Sequence, residues 1–176
     1  MSEHAARAAA GSMLLRREDL QSLFDALCAA GFRCIGPKES NGAIVFDELR
    51  TASELPSGRT AVQAPGSYRL ASSGDGRCFA WANGPQGLKP LLFPPRETLW
   101  RATRDPAGRP RFESVEPAQE RLAVIGVRAC DLAALALQDK HFLHHVVDPR
   151  YKARRRDLLV VAVDCSHPAA TCFCAS

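Results

Sequence analysis

Two continuously apolar runs, LAVIGV at residues 122–127 and LLVVAV at residues 158–163, constrain the fold of this chain more than any other feature. Each has strand length, and neither alternates with polar residues, which is the pattern of a strand covered on both faces. Residues 132–137, between the two runs, carry helical spacing and composition. The order strand, helix, strand predicts a parallel pair joined by a right-handed crossover.

The first half of the chain reads differently. Leu20, Leu23, Phe24 and Leu27 repeat at helical spacing, and Gly31 is placed to end that helix near Ala30. Residues 32–35 then read as a strand, Gly36-Pro37 and Asn41-Gly42 as turns, and residues 43–46 as a returning strand, so a hairpin-like pair is expected. Residues 55–95 are dense in glycine and proline. Within them, residues 68–71 and 77–82 flank a Ser-Ser-Gly-Asp-Gly turn as two short strands; further on, residues 97–104 form a strand that pairs across a turn at 105–110 with residues 111–115. The expected fold is mixed α/β: a small sheet with a parallel strand-helix-strand unit near the C-terminus, plus an N-terminal helix and β-hairpins, with α+β as the alternative. Residues 1–12 are expected to be a disordered leader and residues 13–176 a single domain.

Composition limits what the cysteines can mean. With 176 residues, 46% of them hydrophobic, the chain can build a core without disulfides or zinc, so its seven cysteines need another explanation. Their odd number, their uneven spacing and the absence of an apolar signal segment in residues 1–12 argue against an extracellular disulfide framework and for a reducing cytoplasm. No apolar run approaches the roughly 20 residues that span a bilayer. A net charge of +4 with 7% aromatic residues argues against nucleic-acid binding.

The strand reading places four thiols. Cys130 lies three residues beyond the first apolar run and Cys165 two residues beyond the second, so both fall at the carboxyl edge of one predicted sheet, where open α/β sheets bind their ligands. Cys172 and Cys174 follow shortly after Cys165. In an extended segment residues i and i+2 share a side, so these two thiols face one object while Phe173 packs away from it. Asp131 is expected to cap the helix after Cys130, whose amides would then favour a thiolate there. Four cysteine thiolates suit a 4Fe-4S cluster or structural zinc. The C-x6-C-x-C spacing matches neither zinc ribbons nor compact ferredoxin runs, so a cluster, zinc, a redox dithiol and unliganded buried thiols all stay open.

Six segments in order add a resemblance: GSYRL at 66–70, GPQGLKPLLFPP at 84–95, IGVRACDLAAL at 125–135, QDKHFL at 138–143, DPRYKARR at 148–155 and VDCSHPAATCFCAS at 163–176. Together they resemble the beta-subunit family of cytoplasmic sulfhydrogenases, which includes the A subunit of anaerobic sulfite reductase. The resemblance implies an iron-sulfur electron-transfer subunit that relays electrons between a flavin-containing partner and a catalytic subunit and is not itself catalytic. It further implies that Cys130, Cys165, Cys172 and Cys174 hold a 4Fe-4S cluster in the full-length protein. In that family a ferredoxin-like module with two further clusters follows this region. Its C-x2-C-x2-C-x3-C-P runs are not in this sequence, so an N-terminal part of a longer subunit is expected.

The remaining candidates have plainer readings. Cys28, Cys34 and Cys78 read as packed thiols, and His141, His144 and His145 as surface or cap residues. His167 reads as a hydrogen-bond donor behind the cysteines. Lys152, Arg154, Arg155 and Arg156 read as a solvated basic face, and Arg128 as a charge able to offset an anionic cluster. The alternative function is a non-redox scaffold or subunit-docking domain whose cysteines bind zinc or nothing.

Overall fold

The computed structural model describes residues 13–82, 84, 87–170, 172 and 174, so the leader expected at residues 1–12 lies outside it. Helix α1, Leu20–Ala29, buries Phe24 and Leu27. It ends as the glycine predicts. Gly31 takes a φ of +80°, its amide donates to the Cys28 carbonyl at 2.9 Å, and the Phe32 amide reaches back to Leu27 at 3.0 Å.

Strands β1, Arg33–Ser40, and β2, Ala43–Glu48, pair antiparallel from Ser40↔Ala43 to Ile35↔Glu48. Asn41 and Gly42 both have positive φ, 50° and 74°, as the tight two-residue hairpin turn requires. The turn expected at Gly36-Pro37 does not form, and β1 runs straight through it. Pro37 lies beyond the last pair on the other side of β1, Ile35↔Val124, so no ladder on that side needs its missing N–H. Gly36 is there for close approach: a Cβ would sit 2.6 Å from Leu49 Cδ1 and 3.2 Å from the Ile125 carbonyl.

Strand β3, Arg59–Ala64, pairs antiparallel with β4, Ser67–Ser72, across Pro65-Gly66. Residues 77–82, expected as the partner of β4, are not a strand and carry only an isolated bridge, Ser57↔Cys78. The carbonyls of Phe79 and Trp81 are taken by the side chain of Arg128 instead of by a neighbouring strand. After the short helix α2, Lys89–Leu92, β5, Trp100–Arg104, and β6, Pro110–Ser114, form the expected hairpin, with every residue exposed.

Strand β7, Leu122–Val127, is followed by α3, Ala129–Asp139, a π-helical segment at Lys140–His145, α4, Pro149–Arg156, and β8, Leu158–Ala162. The predicted parallel pair is present, running from Leu122↔Leu158 to Val127↔Ala162. The sheet order is β2-β1-β7-β8, so the N-terminal hairpin adds to the parallel pair in one mixed sheet.

All six residues of β7 are buried, because both faces are covered. Leu122, Val124 and Val127 pack with Leu92, Leu135 and Tyr151, whereas Ala123 and Ile125 pack with Phe24, Leu27 and Cys34. Each such large apolar side chain contributes about 1.5–3 kcal/mol by leaving water. Alternation along β7 breaks at Gly126, where the register shifts and φ is +86°. That irregularity returns Val127 to the face of Val124.

The basic run lies in α4 and differs from the solvated face expected of it. Arg154 is ion-paired with Glu97 and Arg155 with Asp139, the latter at 3.0 Å, and both arginines are half-buried. Lys152 and Arg156 are the exposed members.

Candidate functional site

The carboxyl ends of β7 and β8 meet at Arg128. Its side chain is 2% exposed, yet no carboxylate among the described residues lies within ion-pair distance of it. The guanidinium donates instead to three main-chain carbonyls: Asp164 at 2.7 Å, Phe79 at 2.7 Å and Trp81 at 3.0 Å. Its carbon lies 5.1 Å from the centre of the Trp81 ring. Among the described residues, Nε of Arg128 and Nε1 of Trp81 are buried without a partner. A buried cation held only by neutral dipoles is costly, by several kcal/mol.

The chain is bent to make this arrangement. Phe79 has a φ of +63°, unusual for a residue with a side chain, and its ring crowds Gly126, where a Cβ would lie 2.9 Å from Phe79 Cε1. The bulge at Gly126 therefore admits the Phe79 ring at the same point where the Phe79 carbonyl accepts from Arg128. None of this shows in local sequence pattern; the nearest signal was the charge of Arg128 two residues before a cysteine.

Cys130 and Cys165 sit on the two loops that Arg128 joins. The Val163 amide donates to the Val127 carbonyl at 2.8 Å, and Arg128 bonds the residue just before Cys165. Both thiols are exposed at the rim. Cys130 occupies the first turn of α3, but Asp131 is not the cap: Arg128 is the cap residue, and the Asp131 carboxylate accepts the Arg128 amide from the third helical position, at 3.2 Å. The first-turn amides do favour the thiolate at Cys130, as expected, but they are outweighed. Partial desolvation at the rim pushes the Cys130 thiol up, Asp131 and Cys165 push it further, and the amides of Asp131 and Cys130 do not offset them.

Cys172 and Cys174 are exposed. The Ala169 amide donates to Cys172 Sγ at 3.2 Å, and the Cys172 amide returns to the Ala169 carbonyl at 3.0 Å, so this thiol closes its own turn. The alternation expected about Phe173 lies outside the described residues. Among the described residues, no group of three or more His, Cys, Asp or Glu side chains is drawn together as a metal site. The loops that carry Cys130 and Cys165 are thus tied together, while among the described residues no contact joins Cys172 or Cys174 to them.

The other candidates separate clearly. Cys34 is buried, and burial, then Cys28, pushes its thiol up to about 11; this is an inert core group. Cys28 is exposed and Cys78 half-buried, so neither is the fully packed thiol expected. His167 accompanies the cysteine loop, with Nδ1 2.9 Å from Ser166 Oγ and Nε2 3.5 Å from Arg77 Nη2.

Comparison with known proteins gives this edge a context. The chain is similar to sulfhydrogenase 2 subunit beta of Pyrococcus furiosus. The two are 24% identical over 162 residues, covering 92% of this chain and 40% of the relative, so the chain spans about two fifths of the relative's length. No family model matches the chain, and no solved structure does.

The donor chemistry suits a soft, negatively charged metal–thiolate group. Two exposed thiols lie on loops joined through Arg128, a buried cation whose Nε has no partner and whose guanidinium has no ion-paired carboxylate among the described residues. Thiolates select zinc and iron-sulfur clusters, and a fixed positive charge favours the more anionic of such groups.

Proposed function

We propose that this chain belongs to an iron-sulfur electron-transfer subunit of a hydrogenase- or sulfite-reductase-type oxidoreductase, working in the cytoplasm beside flavin-containing and catalytic partners. Cys130, Cys165, Cys172 and Cys174 would hold a 4Fe-4S cluster, which supplies a one-electron redox centre when bound. The single observation that carries this reading is the Arg128 tie, which joins the loops bearing Cys130 and Cys165 at the sheet's carboxyl edge through a buried side chain. The relative, by name a hydrogenase beta subunit, supports the same class.

In this reading the protein's own groups bind and position. Cys130 is carried by the first turn of α3 and Cys165 by the loop after β8, both on a sheet with a covered core. The Ala169 amide already donates to the Cys172 sulfur, the kind of hydrogen bond that tunes thiolate ligands. Arg128 fixes the distance between the loops.

A second reading, subunit docking, rests on a separate observation. The β5–β6 hairpin is exposed on both faces and presents Trp100 and Phe112, 64% and 66% accessible, at a point where a lone hairpin in water is only marginally stable. The two readings are compatible in one subunit, and metal analysis separates the redox role from a scaffold. Anaerobic reconstitution with iron and sulfide is expected to give a brown protein whose visible absorbance bleaches with dithionite. A colourless protein carrying stoichiometric zinc would refute the redox role and leave the scaffold.

A further inference from the structure

The mixed sheet ends on two edges that differ. At β2 the edge is charged and covered: Asp47 and Glu48 end the strand, the Ile44 amide donates to the Tyr68 hydroxyl at 3.3 Å, and Gly84 lies so near the Ile44 carbonyl that a Cβ there would come within 3.1 Å of it. At β8 the sequence is LLVVA, with no charge and no proline, and among the described residues no strand pairs with its outer side. The Asp157 carbonyl accepts from the Leu122 amide at 3.2 Å and the Val163 amide donates to the Val127 carbonyl at 2.8 Å, so alternation turns the amides and carbonyls of Leu158, Val160 and Ala162 away from β7. Leu158 and Val160 pack on one face of the sheet and Leu159 and Val161 on the other, yet all four are only half-buried where β7 is buried throughout. The uncovered side is the edge itself, and an apolar edge without these safeguards is an acceptor for another strand.

We propose that β8 is the interface between two copies of this chain, paired antiparallel, edge to edge, about a two-fold axis at Val160. Centring on Val160 sets Val160 against itself and Leu158 against Ala162 of the second copy, so every outward amide and carbonyl of β8 finds a partner. Moving the axis by one residue leaves an outward residue of each strand unpaired. The same register brings Arg156 of one copy beside Asp164 of the other, and the axis repeats the pair. Arg156 and Asp164 are both exposed. At the Arg156 end, Arg121 and Arg156, against the carboxylate of Asp157, line a shallow hollow of about 290 Å³ together with Phe32 and Leu158. Its excess of positive charge suits an incoming aspartate. The inference stands apart from the cluster reading, since it uses no cysteine.

Sedimentation velocity over a concentration series tests this on the full chain, with a reductant present to prevent cross-linking through the exposed thiols. The variants are Arg156→Glu, Asp164→Arg, the two reversals combined, and Ala162→Pro. A reversible wild-type dimer is expected. Each single reversal sets like charges against each other twice and is expected to weaken dimerisation about tenfold or more, while the double reversal restores it. Ala162→Pro removes an outward amide that β7 does not use and is expected to give a monomer with unchanged circular dichroism. A monomeric wild-type chain overturns the proposal, as does a dimer that Ala162→Pro leaves intact, which would put the interface elsewhere. A double reversal no tighter than the single ones overturns the Val160 register. Should Ala162→Pro fail to fold, amide exchange of the wild-type chain decides. Protection at Leu158, Val160 and Ala162 that rises with concentration supports the pairing; protection that is absent, or the same at every concentration because another part of the same chain covers the edge, overturns it.

Discussion

Nη1 of Arg128 donates to the carbonyl of Asp164 at 2.7 Å, so the residue two places before Cys130 is bonded to the residue immediately before Cys165. The contact ties together the loops that follow β7 and β8, which carry two thiols distant in sequence. A short bifunctional thiol reagent is therefore expected to bridge Cys130 and Cys165 within one folded chain, as read by peptide mass mapping. Equal bridging in the urea-unfolded chain would count against the convergence.

Gly126 is the joint between sheet and site. An alanine there must accept a φ of +86° with its Cβ 2.9 Å from Phe79 Cε1 and 3.2 Å from Pro37 Cδ. Gly126→Ala is expected to cost about 2–4 kcal/mol, combining overpacking with a left-handed backbone. Urea denaturation of the full chain measures it; a loss below about 0.5 kcal/mol would show that the bulge relaxes freely.

The β5–β6 hairpin is held at its base by charge. Arg150 donates to Glu97 at 2.7 Å and to the Val115 carbonyl, and Arg154 joins the same carboxylate. Burial raises the Glu97 carboxyl, yet its hydrogen bonds from Arg150 and Arg154 outweigh this and hold it below the usual range. Glu97→Gln is expected to cost about 1–2 kcal/mol, discounted for partial exposure. Amide exchange in β5 and β6 should accelerate while that of β7 stays slow; uniform acceleration would mean the hairpin is not separately tethered.

Much of this was readable in advance where information is local. The apolar runs announced β7 and β8, the leucine spacing announced α1, and Asn41-Gly42 announced its hairpin. Apart from the β7–β8 pair, long-range pairings were not readable, and each has a physical reason. Three pairs, from Arg33↔Leu122 to Ile35↔Val124, attach the N-terminal hairpin to the parallel unit, and no local pattern encodes them. Residues 77–82 have strand-like composition, but their carbonyls serve Arg128. The placement of Cys130 and Cys165 beyond the carboxyl ends of two adjacent parallel strands followed from the strand reading, whereas the burial of Arg128 and the strain at Phe79 depend on a segment some fifty residues away that sequence spacing does not bring near.

Acid sensitivity has a specific source in the loop after β2. Glu54 is held at about 2, below its ordinary 4.5, first by its hydrogen bond with Lys38 at 2.6 Å and then by the amides of Arg50 and Thr51. A depressed carboxylate contributes stability that is fully present above 4.5 and is lost as pH falls toward about 2. Glu54→Gln should flatten this part of the stability profile between those limits, measured by denaturant midpoints at stepped pH. An unchanged slope would assign the acid loss elsewhere.

The central claim is that four particular cysteines form the cluster site, and serine replacement of each of the seven cysteines tests it most directly. After anaerobic reconstitution the wild-type chain is predicted to hold iron and inorganic sulfide in equal amounts. Cys130→Ser, Cys165→Ser, Cys172→Ser and Cys174→Ser should lose most of both, while Cys28→Ser, Cys34→Ser and Cys78→Ser keep them. A wild-type chain without iron, or a loss in Cys34→Ser as large as in Cys130→Ser, would contradict the account.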